Sequence, residues 1–330
     1  MKRSLVALAA ATLSLQALSA ASSSYTIVDL GENRHPEAVN DAGVLAGTTA
    51  HGLYALAYAD GTWTRLPRRG QEGFAFAINA HGVIVGWNGD RPEGDQVRWK
   101  NGQREVLAGT HQGGSALGIS DDGTIVGFDV TDDSNGHCYK WKDGVMTYLP
   151  DLGGTFCAAN AIDPTGTYIG GAALTPSFLN RAFIIDGTGY HDLGTLKGGA
   201  QSQTIAVNRH GHAAVSSEHD STLASGAAYW DGRKLVNLCP RPDRYSASVA
   251  INDADDVLVN GYDDQGQGLF LYSAATRAMT PIVPRIVNPQ GWRFEDYNGR
   301  VLANDGTIYG VADFHGKPHA FKLVPSADQR

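Results

Sequence analysis

Along most of the chain, apolar and β-branched residues come in short stretches broken by Asn, Asp, Ser and Gly, and no segment sustains a helical apolar period over three turns. That pattern predicts an all-β protein of short strands and hairpins. The stretches also repeat. Each unit opens with an apolar run, turns at Asn, Asp or Ser with Gly three residues later, and continues into a β-branched run ending in Gly. Ala38–Gly47 (AVNDAGVLAG), Ala77–Gly86 (AINAHGVIVG), Gly118–Gly127 (GISDDGTIVG) and Ala161–Gly170 (AIDPTGTYIG) are clear copies. Ala206–Val215 and Ala250–Val259 are degenerate, and Val301–Gly310 restores the pattern with Ala303 in the Asn position.

The seven turn residues Asn40, Asn79, Ser120, Asp163, Asn208, Asn252 and Ala303 are 39, 41, 43, 45, 44 and 51 residues apart. This is the length of a propeller blade. In each copy Asn or Asp caps a tight turn and Gly takes its left-handed position, so the copy supplies two strands. A second hairpin follows, with a short Asp-Gly or Asn-Gly turn, best seen at Trp99-Lys-Asn-Gly, Trp141-Lys-Asp-Gly and Trp230-Asp-Gly. The predicted fold is a seven-bladed β-propeller of four-stranded blades. The seventh unit stops after its third strand, His319–Leu323, while Tyr25–Gly31 reads like the fourth strand of other units. That N-terminal strand is expected to complete the last blade and close the ring. The alternative, an open β-solenoid, has shorter coils and leaves the displaced strand unexplained.

The units resemble the HAF repeat of bacterial extracellular proteins, in Ala77–Gly86, Gly118–Gly127 and Tyr148-Leu-Pro-Asp-Leu-Gly-Gly154. The resemblance covers nearly the whole mature chain and implies a β-propeller-like repeat fold outside the cytoplasm. It carries no catalytic residues that transfer. Val215, Asp255 and Ala303 depart from its expected Gly or Asn positions.

Ahead of the repeats, Lys2 and Arg3 precede an apolar run from Leu5 to Leu18 and then the small residues Ser19–Ser22. This is the layout of a signal peptide, read as residues 1–22, with a single propeller domain over 23–330 and a secreted or periplasmic destination. No later stretch has membrane-spanning length. Loss of Lys2 and Arg3 takes the net charge from −8 to −10, and no Lys/Arg-rich run follows, which argues against nucleic acid as a partner. Three cysteines are too few for a disulfide scaffold; Cys138 and Cys157 have a spacing that permits pairing, leaving Cys239 alone.

Candidate chemistry gathers where the repeat varies. The loops between second and third strands include Trp87–Asp95, Asp129–Gly136, Ser216–Ser225 and Tyr262–Gly268, and the long connection Pro281–Arg300 opens on the same face. The connection is read either as a lid or binding ridge carrying Trp292, Phe294, Glu295, Asp296 and Tyr297, or as an apolar plug before the closing blade. Trp99, Trp141 and Trp230 recur at one repeat position and belong between blades, whereas Trp87, Phe128, Tyr262 and Phe314 fall at the variable face and suit either core packing or stacking on a sugar or peptide. Glu218, His219, Asp220 and Asp263 are the candidates for general acid and base work. Asp129, Asp132, Asp133 and Asn135 offer oxygens for Ca²⁺, without the spacing of an EF-hand. The bland reading of these acidic loops is solvated turn residues. No Gly-x-Ser-x-Gly elbow and no phosphate loop occurs.

The reading that follows is an exported, monomeric, non-catalytic propeller that recognises a glycan, peptide or protein ligand through Trp87, Phe128, Tyr262, Trp292, Phe294 and Tyr297. It needs no cofactor. The alternative is a secreted polysaccharide hydrolase or lyase.

Overall fold

Each repeat folds as one antiparallel sheet in the computed structural model, which describes residues 24–326 apart from 92, 220–223, 240, 242, 265 and 295–298. The signal-peptide reading, Asp220, and Glu295, Asp296 and Tyr297 therefore lie outside the described residues. Blade 1 runs Arg34–Val39, Leu45–Thr49, Ala55–Ala59, Thr62–Arg65, and blade 2 runs Glu72–Ile78, Ile84–Gly89, Asp95–Lys100, Gln103–Val106. Blades 3 to 6 repeat this order from Ser115, Cys157, Ser202 and Ala247. Blade 7 takes three strands from the C-terminal end, Gly299–Leu302, Ile308–Phe314 and Lys317–Pro325, and its fourth from Tyr25–Glu32, which pairs antiparallel with Lys317–Pro325. The ring is a seven-bladed propeller closed by the N-terminal strand.

The core lies between blades. Seven apolar clusters among the described residues fill the seams; one joins Ala46 and Ala55 of blade 1 to Ala75, Val97 and Trp99 of blade 2. The recurring tryptophans serve these seams twice over. The rings of Trp99 and Trp141 are buried and that of Trp63 is half-buried, and the indole N–H of each donates to a carbonyl at the end of the preceding blade: Leu30 O at 2.7 Å for Trp63, Pro67 O at 2.7 Å for Trp99 and Ala108 O at 3.1 Å for Trp141. Trp230 packs half-buried against the cluster that joins blades 4 and 5. A Cys138–Cys157 disulfide, with Cα atoms 4.9 Å apart, crosses the seam between blades 3 and 4.

The repeat's Asn has a second task beyond capping. Asn79 Oδ1 accepts the N–H groups of His81 at 3.1 Å and Val83 at 3.0 Å, while its Nδ2 donates to Ser120 O of the next blade at 3.1 Å. Asn40 and Asn208 do the same toward Asn79 and Asn252. Where the motif departs, other groups keep the seam polar. Asn304, beside Ala303, accepts from Asp253 N and donates to Asp41, carrying the link through blade 7 to blade 1. Asp255 holds the left-handed backbone usually given to Gly, at φ 60°, and its carboxylate accepts from Asn208 Nδ2 at 2.7 Å. The departure exchanges a small backbone cost for an inter-blade bond.

Every first strand carries a bulge at the same place. Its register against the second strand slips by one residue at Glu37, Phe76, Leu117, Asn160, Ile205, Val249 and Arg300. A bulge re-aims one side chain, and all seven of these residues line the central channel. Close strand approach accompanies it: a Cβ on Gly86 would fall 1.9 Å from Phe74 O, which explains the Gly ending the repeat.

Candidate functional site

The channel opens on the variable face into a recess of about 440 Å³ bordered by Gln203, Ser216, Tyr245, Asn260, Arg300 and Glu37. Glu37 and Arg300 pair at 2.8 and 2.9 Å across the seam that closes the ring. Burial pushes the Glu37 carboxyl above its ordinary range, against the pull of Arg300. The channel is thus charged on the blade 7 to blade 1 side and apolar at Phe76, Leu117, Ile205 and Val249.

A second concavity, of about 410 Å³, sits between blades 2 and 3 on the same face and is lined by Phe74, Phe76, Trp87, Arg91, Gly113 and Ser115. Its aromatic wall comes from one sheet. Phe74 pairs in register with Trp87 across the first two strands of blade 2, their rings 5.9 Å apart, and Phe74 stacks on Phe76 at 6.0 Å with planes 8° apart. The bulge brings Phe76 to both this cleft and the channel. Arg91 forms the rim: its Nε bonds Glu72 at 2.6 Å, and its guanidinium carbon lies 5.3 Å from the Phe74 ring centre and 5.9 Å from that of Trp87. An apolar floor with one fork of donors at its edge suits a flat ligand with a polar margin.

Of the expected ligand contacts, Trp87 lies in this cleft. Phe128 packs 5.3 Å from Phe156, and Tyr262 lies under Arg244 with its hydroxyl on Gln267. Trp292 and Phe294 belong to the packing of blade 7. Trp292 is 4.7 Å from Phe314, and Phe294 is 5.4 Å from Phe321, both against the cluster joining blades 6 and 7. The connection there pairs Trp292–Arg293 with Asp313–Phe314 and Ile286–Val287 with Tyr25–Thr26. Among its described residues it is a clasp on the closing blade, the plug rather than the ridge.

The acid and base candidates do not meet around either concavity. Glu218 accepts from Ala200 N, Gln201 N and Gln201 Nε2 at 3.1–3.2 Å, which fastens the connection between blades 4 and 5. His219 is buried, its ring against Gly226 and near Cys239; a Cβ on Gly226 would fall 2.4 Å from the imidazole. Asp263 ends the second strand of blade 6. None of the three lines the channel mouth or the cleft.

The oxygens offered for Ca²⁺ are not gathered either. Asp133 accepts from Thr131 Oγ1, Asn135 N and Asn135 Nδ2 and so closes its own turn; Asp132 is exposed. Asp129 points away from that turn into the seam with blade 2. Among the described residues no group of three or more His, Cys, Asp or Glu is arranged to hold a metal ion. The acidic loop chooses its residues for turn geometry.

Two features escaped the sequence reading. Neither the pair Phe74 and Phe76 nor the bulge residue, three before the turn Asn, was singled out. A signal existed, because that strand position changes character from unit to unit: Glu, Phe, Leu, Asn, Ile, Val and Arg.

The architecture defines the chain as a β-propeller, and solved structures of that kind resemble it at low sequence identity. No family model matches the sequence, and no curated protein matches it. Virginiamycin B lyase from Staphylococcus aureus superposes with a TM-score of 0.60 at 11% identity, over 92% of this chain and 99% of that one. An oligogalacturonate lyase in complex with manganese gives 0.61 at 13%, over 91% and 93%. The β-propeller domain of the Trilobed protease from Pyrococcus furiosus gives 0.50 at 12%, over 77% and 82%. At such identities the likeness concerns the fold alone.

Proposed function

We infer that this chain is an exported, monomeric HAF-type propeller that recognises a glycan through its variable face, with the cleft between blades 2 and 3 as the seat. The observation that carries this reading is the convergence of Phe74, Phe76 and Trp87 on one concavity rimmed by Arg91. The apolar face of a sugar ring packs on such rings, and its hydroxyls or carboxylates meet the guanidinium fork. The seven-membered bulge ring leaves the adjoining channel mouth open to further units of an extended ligand.

The test is a glycan and polysaccharide array probed with the mature chain, each hit followed by mass spectrometry for released product. Binding that Trp87→Ala weakens at least tenfold, with Glu218→Gln unchanged, supports the cleft. Binding that survives Trp87→Ala moves the site elsewhere. Product released by wild type and lost in Glu218→Gln or His219→Ala would instead support a polysaccharide-acting enzyme built on Glu218, His219, Asp220 and Asp263.

A further inference from the structure

Beside the cleft lies a side-chain cluster that the recognition reading does not use. Asp129, at the end of the second strand of blade 3, has no exposed surface. Four groups donate to it: His111 N at 2.7 Å and Gln96 Nε2 at 2.8 Å on Oδ1, His111 Nδ1 at 2.6 Å and the Tyr148 hydroxyl at 2.9 Å on Oδ2. A carboxylate facing Nδ1 puts the ring proton on that nitrogen, so in neutral His111 the lone pair sits on Nε2. The His111 side chain is 47% exposed and Nε2 has no partner among the described residues. A base held by a buried acid, with its reactive nitrogen open to water, is an arrangement for moving protons.

The cluster and the cleft share a wall. Gln96 is the register partner of Trp87, and His111 stands two residues before Gly113 of the cleft lining, a reach of about 7 Å at most along the chain. The cleft lining thus ends within two residues of His111 along the chain.

We propose that His111 is the general base of an ester-hydrolysing site whose acyl group seats among Phe74, Phe76 and Trp87 while its alcohol portion faces solvent. Nε2 takes a proton from water as the water oxygen bonds to the acyl carbon; the carbon–oxygen bond to the alcohol then breaks, and the departing oxygen takes that proton back from Nε2. Products are the carboxylic acid and the alcohol, and the imidazole returns unchanged. Glycosidic cleavage would call for a pair of carboxyl groups facing each other across the substrate, and the cleft lining holds none. Asp129 is a positioning residue that fixes the tautomer, and Tyr148 steadies Asp129, its own hydroxyl pushed up to about 12 by burial and by that carboxylate. Asp129 and, farther off, Asp132 hold the imidazole above its ordinary range, so hydrolysis should rise with pH as Nε2 loses its proton.

The proposal rests on the cleft as the ligand seat, and its test separates the two. Hydrolysis of 4-nitrophenyl acetate and 4-nitrophenyl benzoate is followed across pH for wild type, His111→Gln, Asp129→Asn, Tyr148→Phe and Trp87→Ala, with thermal melts to show that each variant folds. Wild type should prefer the benzoate, and His111→Gln should lower kcat about 100-fold or more while keeping KM. Asp129→Asn should lower kcat and move the pH profile toward that of an ordinary imidazole. Trp87→Ala should raise KM more for the benzoate, with its larger acyl group, than for the acetate. A wild type no faster than His111→Gln overturns the esterase and leaves the binding cleft standing; glycan binding lost in Trp87→Ala but kept in His111→Gln would show that separation directly.

Discussion

The two faces of the propeller obey different rules. On the turn face polar bonds between neighbouring turns recur: side-chain amides of Asn40, Asn79 and Asn208 reach the next blade's turn, Asp121 N reaches Pro164 O, and Asn304 accepts from Asp253 N and closes the circle onto Asp41. On the loop face the same seams hold an aromatic cleft, a buried carboxylate cluster, a disulfide and a clasp, no two alike. Regularity marks what builds the ring, and irregularity marks what the ring is free to display. Stability should therefore respond to changes in the ring, and ligand chemistry to changes on the display face.

The largest expected effect is on closure. Removing Tyr25–Leu30 strips Tyr25 and Leu30 from two buried clusters, frees Leu30 O from Trp63 and exposes the edge of Lys317–Pro325. Two buried side chains at about 2 kcal/mol each, with the ladder bonds, predict a loss of at least about 5 kcal/mol in urea unfolding. A truncated chain that melts with the full one would break the argument for a ring closed by its first strand.

Next comes the seam between blades 3 and 4. Cys138→Ala with Cys157→Ala opens a 19-residue loop, for which about 3 kcal/mol is expected. Under a reductant strong enough to open the disulfide, the two proteins should approach each other. Close behind is Asn79→Ala, which leaves Ser120 O and the N–H groups of His81 and Val83 without their buried partner, at about 2 kcal/mol by urea unfolding. Asp255→Gly should cost less, because relief of the left-handed backbone offsets part of the lost bond to Asn208. On the display face Phe178→Ser, at 70% exposure, should leave stability within about 0.5 kcal/mol. A large change there would erase the distinction between the two faces.

That distinction also marks how far the sequence could be read. Blade number, strand order, closure by Tyr25–Glu32 and the placement of Trp99 and Trp141 follow from periodicity, because each is a property of one unit repeated. The cleft and the His111 cluster were hidden because each is made by apposition of two units. Gln96 and Asp129 stand 33 residues apart, and nothing in either loop names the other. The loops rich in carboxylate misled for a related reason. Glu218 resembles an acid or base and Asp133 a Ca²⁺ ligand, yet each is occupied in holding its own connection or turn. Composition shows that a polar group exists; the fold decides whether its lone pairs are already taken.

The finest test addresses the one seam that joins the chain's two ends. His35, in the first strand of blade 1, has its imidazole held below the ordinary range, first by burial and then by Arg300 and His51. A base depressed in the folded state contributes stability that is present above its unfolded value of about 6.5 and is lost as pH falls through the lower folded value. Glu37 works in the opposite sense, since a carboxyl raised by burial contributes stability below its unfolded value that is lost as pH rises through the folded one. Comparing wild type with His35→Asn isolates the imidazole, because Glu37 and Arg300 are common to both. The gap in unfolding free energy should stay constant above about pH 6.5 and move against wild type at lower pH. A gap that does not change with pH would mean that His35 takes its proton as readily in the folded chain as in the unfolded one, which a seam closed against Arg300 does not allow.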